Sequence, residues 1–100
     1  MKKHPAIIEL EKTINDLTNY LKDLLVLTIK SHIKGIEQPL IIDEENVKVL
    51  PENEKTKELN KLLKKLLNTT ENSSLVLNAL KLALSSYKIP YKVINDEHRR

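Results

Sequence analysis

The sequence contains no cysteine, no phenylalanine and no tryptophan, and one glycine among its 100 residues. Each absence removes a class of chemistry. Without thiols, disulfides and thiolate metal sites are both excluded, which fits a reducing compartment. With three tyrosines as the whole aromatic complement, few flat surfaces exist on which a base, a sugar or a planar cofactor would stack. A lone glycine does not build a phosphate-cradling loop of the P-loop or dinucleotide type. The longest apolar run, Leu24 to Leu27, is far short of the ~20 residues a membrane span needs. Nor does the basic start, Met1 to Pro5, lead into an apolar stretch, because Glu9, Glu11, Lys12 and Asp16 interrupt it. The expectation is a soluble, cytoplasmic chain with no membrane association.

What remains is leucine, isoleucine, lysine and glutamate. A composition of 40% hydrophobic and 31% charged residues is that of a globular chain, and the length suits one domain, residues 1–100. The core has to be aliphatic. Seventeen basic against fourteen acidic residues give a net charge of +3, mild enough that the placement of charge matters more than its sum.

The spacing predicts a long helix from Pro5 to Lys34. Ile7, Leu10, Ile14, Leu17, Leu21 and Leu24 alternate steps of three and four, the a/d seam of a heptad. Pro5 suits a first helical position, Gly35 a left-handed cap, and Lys30, His32 and Lys34 the negative end of the helix dipole. Between Leu24 and Ile29 the helix becomes apolar on nearly every side, so cover from other elements is expected there. Leu40-Ile41-Ile42 and Val47-Lys48-Val49-Leu50 flank the polar stretch from Asp43 to Asn46, the pattern of a short hairpin. A second helix is expected from about Asn53 to Asn68, with Leu59, Leu62, Leu63, Leu66 and Leu67 on one face. A third, capped by Asn72 or Ser73 and ending near Tyr87, carries Leu75, Val76, Leu77, Leu80, Leu82, Ala83 and Leu84 and reads as the most buried element. Ile89-Pro90 forces extended backbone, and Tyr91 to Ile94 alternate like a strand, the natural third member of the hairpin's sheet. The fold class is therefore mainly α (α+β): three helices, the first long, with a β-hairpin or three-stranded β element.

Candidate chemistry is sparse. His4, His32 and His98 are scattered, with no pair at metal-ligand spacing, and His32 reads as a helix-end cation. Asp43-Glu44-Glu45 lacks the spaced oxygens and the glycine of a calcium loop. Ser73-Ser74 and Ser85-Ser86 sit at helix ends without a catalytic motif. No catalytic, cofactor or metal residues are assigned, and an enzyme is not expected.

Two features stand above this background. Lys57, Lys61, Lys64 and Lys65 fall within about a quarter of the second helix's circumference, opposite its leucines. Lys57/Lys61 and Lys61/Lys65 are like-charge i, i+4 pairs, which a helix tuned for stability alone would avoid. The first helix's seam, Ile7 to Leu24, has the Ile/Leu alternation of a dimer-forming coiled coil. The chain offers more apolar helix surface than three helices readily hide, particularly around Leu24 to Ile33. Together they favour a self-associating binding or regulatory protein acting through protein–protein contact, with the seam as oligomer interface and the lysine stripe facing an acidic protein surface. The alternatives are a nucleic-acid-binding regulator using the same lysines on phosphates, or an oligomeric binder of a small anionic ligand. The scarcity of arginine and aromatics argues against nucleic acid, and the third helix has almost no polar face with which to read bases.

In size, lysine- and asparagine-rich character and leucine-rich helices, the chain broadly resembles small helical proteins of phages and mobile elements, and bacteriocin immunity proteins. It departs from the immunity bundles in having no full fourth helix after Tyr91.

Overall fold

The computed structural model describes residues 5–33 and 38–94, with side chains from residue 12 onward. Three helices and three strands follow in the order α1 (Pro5–His32), β1 (Leu40–Asp43), β2 (Lys48–Leu50), α2 (Lys57–Thr70), α3 (Ser73–Ser86) and β3 (Tyr91–Ile94). Lys30 and His32 occupy the last turn of α1, as the dipole argument requires. Gly35 and Lys34, like His4 and His98, lie outside the described residues.

The hairpin forms between the two β-branched runs. β1 and β2 pair antiparallel, Ile42 opposite Val49, while β3 joins the other side of β1 in parallel, Ile42 opposite Val93. The sheet order is thus β2-β1-β3, with β2 and β3 as the two edges. Leu40, Ile42 and Val49 are buried, and Tyr91 and Val93, in register with Leu40 and Ile42, pack against the same core. Val47 falls outside the strand. It ends the turn at φ 52°, and Asp43 ties that turn by accepting from the Asn46 backbone N–H at 3.3 Å and its side-chain amide at 2.9 Å. Lys81 on α3 reaches the turn through Glu44 at 2.9 Å.

α2 begins later than the apolar spacing suggests. Asn53 does not cap the helix; its side-chain oxygen accepts from Lys55 and Thr56 N–H groups, making a separate turn before Lys57. Thr56 is buried and its hydroxyl donates to the Pro51 carbonyl at 2.6 Å, so this residue spends its hydroxyl on the connection and leaves the helix without a side-chain cap. α2 ends where Glu71, in a left-handed conformation, donates its N–H to the Leu67 carbonyl. Asn72 then caps α3 by accepting from Leu75 N–H at 3.1 Å. α3 closes in a Schellman pattern: Lys88 takes the left-handed position, and Ile89 N–H returns to the Leu84 carbonyl.

The core is aliphatic throughout. α3 is its centre, burying Leu75, Val76, Leu77, Ala79, Leu80, Ala83 and Leu84. α1 meets it along Leu21, Leu25, Ile29 and Ile33, and α2 along Leu59, Leu63 and Leu66. Two expectations of cover fail. Leu82 is exposed, because it lies on the one side of α3 that neither α1, α2 nor the sheet reaches. Leu27 is exposed too, although Leu25 and Ile29 on either side of it are buried. Among the described residues, no helix is long and apolar enough to cross a membrane.

Candidate functional site

The heptad seam of α1 divides in two. A helix turns about 100° per residue, so Leu21, Leu25, Ile29 and Ile33, four apart, drift slowly around the axis and stay on the side that faces α2 and α3. Ile14 is on the same side but beyond the end of the core, and it is 48% exposed. Leu17, Tyr20, Leu24 and Leu27 follow a second line, spaced three, four and three, rotated away from the core. Leu24 is half-buried; Leu17, Tyr20 and Leu27 are 38%, 61% and 63% exposed. Of the predicted seam, then, Leu21 is spent on the chain's own core, while Ile14, Leu17 and Leu24 remain partly or largely open. Ile7 and Leu10 fall within α1, but their side chains lie outside the described ones. The helix is about 42 Å long at 1.5 Å per residue, and among its described side chains the buried ones, Leu21, Leu25 and Ile29, fall in the C-terminal half. The radius of gyration, 14.8 Å, exceeds the ~13 Å of a compact chain of this length accordingly.

The lysine stripe stands on the exposed face of α2. Lys57, Lys61, Lys64 and Lys65 are all exposed, opposite Leu59, Leu63 and Leu66. The structure adds what lies beside them. A groove of about 680 Å³ runs between α2 and the β1–β2 turn with the loop that follows β2. Lys57, Lys61 and Lys64 line one wall with Asn60, Leu67 and Asn68; Asn46, Val47 and Lys48 form the other; Glu52, Asn53 and Glu54 close one end. Lys65 does not line it, because on the helical wheel it falls furthest from Asn60, the residue that faces β2.

Asn60 holds the two walls together. Its side-chain oxygen accepts from the Val49 N–H at 2.8 Å, and its amide donates to the Val49 carbonyl at 3.0 Å. Val49 belongs to an edge strand, and this pair of bonds covers the edge at that residue. The ionic balance within the groove is uneven. Lys48 pairs with Glu52 at 3.2 Å and Lys61 with Glu58 at 3.5 Å, whereas Lys57, Lys64 and Lys65 have no ion pair among the described residues.

No known relative informs the site. No family model matches the chain, and neither does any curated protein or any solved structure. The residues therefore have to speak for themselves. Among the described residues, no group of three or more histidine, aspartate or glutamate side chains is placed to hold a metal ion, and His32 is exposed at the end of α1. The sequence pattern located the stripe but not the groove. Its second wall comes from the hairpin, and the signal that joins them is Asn60, an amide on the border between the apolar and basic faces of α2.

Proposed function

We propose that the chain is a non-enzymatic binding protein that associates with further copies of itself through α1 and presents the lysine face of α2 to an acidic protein partner. The observation that carries this reading is the line Leu17, Tyr20, Leu24 and Leu27, of which Leu17, Tyr20 and Leu27 are exposed and Leu24 is half-buried. Its three-four-three spacing is that of a helix seam. It is bounded by Thr13 and Ser31 and has no charged residue within it, with Asp16 and Asp23 along one flank. Apolar side chains aligned in this way mark an interaction surface, where the same residues scattered singly would not.

The deciding experiment is solution mass by light scattering, at low and high salt, with and without duplex DNA. An oligomer that persists in high salt and ignores DNA supports the reading. The double variant Leu17→Glu/Leu27→Glu should then be monomeric with an unchanged helical circular dichroism spectrum, since neither residue belongs to the core. A monomeric wild-type chain at both salt concentrations would remove the self-association. A monomer that gains mass with DNA in low salt and loses it in high salt would transfer the lysine face to phosphate binding.

A further inference from the structure

We infer that the groove beside α2 binds a short, extended, acidic segment of a partner protein, gripped by Lys57 and Lys64. The assignment rests on reading the lysine face as an acidic-partner surface and narrows it to one side of the helix.

Charge is the first ground. Four lysines and two glutamates line the groove, and two of those lysines are already engaged, Lys48 by Glu52 and Lys61 by Glu58. The remaining positive charges are Lys57 and Lys64, set against the one remaining carboxylate, Glu54, and they lie seven residues and about 10 Å apart along α2. On an extended peptide, side chains of one face recur every ~7 Å. Carboxylates two or four residues apart thus span about 7 to 13 Å and bracket the separation of the two ammonium groups, whose flexible stems absorb the difference. Asn68, at the same end as Lys64, is exposed and its amide has no hydrogen bond among the described residues, leaving a donor and an acceptor for a peptide backbone.

The second ground is rigidity. Asn60 fixes β2 to α2, and Thr56 fixes the loop between them through Pro51 and Asn53. A ligand that enters this groove does not have to order its walls, which preserves affinity that loop ordering would consume.

Val47 is the third. A buried, β-branched residue at φ 52° is a conformational outlier, in a region that glycine or asparagine enters readily. Such outliers gather at binding sites, and this one is part of the groove wall.

The same inventory disfavours a nucleic acid. No arginine or aromatic residue lines the groove.

The test is fluorescence anisotropy of a fluorescein-labelled peptide of alternating glutamate and serine, with a glutamine–serine peptide and a labelled single-stranded oligonucleotide as comparisons. The glutamate peptide is expected to bind and the glutamine peptide not to, with affinity falling as salt rises. Lys57→Gln/Lys64→Gln should weaken binding about five-fold, the scale of two exposed ion pairs. Lys65→Gln/Lys92→Gln, which removes the same charge from exposed positions outside the groove, should change it less than two-fold. Equal weakening by both pairs overturns the groove, because binding would then follow net charge and not position. Failure of the glutamate peptide to bind the folded protein overturns the assignment outright. Tighter binding of the oligonucleotide, lost in the groove variant, overturns it and the acidic-partner reading together. None of these outcomes bears on self-association, which is read from mass alone.

Discussion

Asn60 is where the fold and the groove depend on the same atoms, and Asn60→Ala isolates that dependence. The substitution removes both side-chain bonds to Val49 and leaves the N–H and carbonyl of an edge strand without a protein partner. Each bond contributes about 1 kcal/mol, so the loss is about 2 kcal/mol. Alanine in a helix interior returns about 0.6 kcal/mol of intrinsic propensity over asparagine. The expected net destabilisation is about 1.5 kcal/mol, or roughly 6–12 °C in Tm for a domain of this size. Asn78→Ala supplies the reference. Asn78 is an exposed residue of α3 and makes no side-chain hydrogen bond among the described residues, so the change should be neutral or stabilising. Urea unfolding of the two variants measures the difference between them, about 2 kcal/mol, with unchanged m-values. Amide exchange at Val49 should quicken selectively in Asn60→Ala. If Asn60→Ala is as stable as Asn78→Ala, Asn60 does not hold the edge strand and the groove's second wall loses its anchor.

Two further substitutions probe the same region. Val47→Ala and Val49→Ala delete the same atoms from two buried sites, a loss of about 2 kcal/mol by area. Only Val47 has a positive φ, so removing its β-branch relieves roughly 1 kcal/mol of backbone strain; Val47→Ala should be the milder of the two in chemical denaturation, and equal costs would mean that the turn is unstrained. Thr56→Val keeps the shape of a fully buried residue but removes a hydroxyl that donates to Pro51 and accepts from Asn53 N–H at 3.0 Å. It should destabilise by about 1–3 kcal/mol, and a calorimetric Tm unchanged from wild type would show that the loop after β2 does not depend on it.

Much of the architecture was legible because local patterns agreed with the fold. The β-branched runs around Asp43 to Asn46 do form a hairpin, Tyr91 to Ile94 complete its sheet, and Asn72 caps α3 as its position before an apolar run suggests. The start of α2 was less legible because Asn53 and Thr56 are residues that compete for backbone hydrogen bonds. Either can open a helix or a turn, and the choice was made by Pro51, whose carbonyl captures the Thr56 hydroxyl. The exposure of Leu27 and Leu82 was hidden for a different reason. A helix that is apolar on most sides does not announce which side its neighbours will reach, and that depends on how α1 and α3 lie against each other. The groove was out of reach of spacing rules altogether, since Lys48 and Asn46 meet Lys57 and Asn60 only after the hairpin has folded back on α2.

The two surfaces assigned to interaction follow from one constraint. An aliphatic core of this size is centred on α3 and covers only part of a helix as long as α1. Leu17, Tyr20 and Leu27 are left exposed, with Leu24 between them only half-buried against the core. α2, by contrast, turns its leucine face to the core, burying Leu59, Leu63 and Leu66, so its remaining circumference is free to carry charge. Lysine is suited to that position because its stem can lie over the apolar border while its ammonium stays in water. The consequence is a chain with an apolar surface on one helix and a cationic surface on another, with little chemistry shared between them. Substitutions on α1 should therefore change assembly without changing the response to an acidic peptide, and substitutions at Lys57 and Lys64 should do the reverse. Measuring both properties on both variants separates them: if the effects cross over, the acidic segment binds across a subunit interface, and the groove of a single chain is only part of its site.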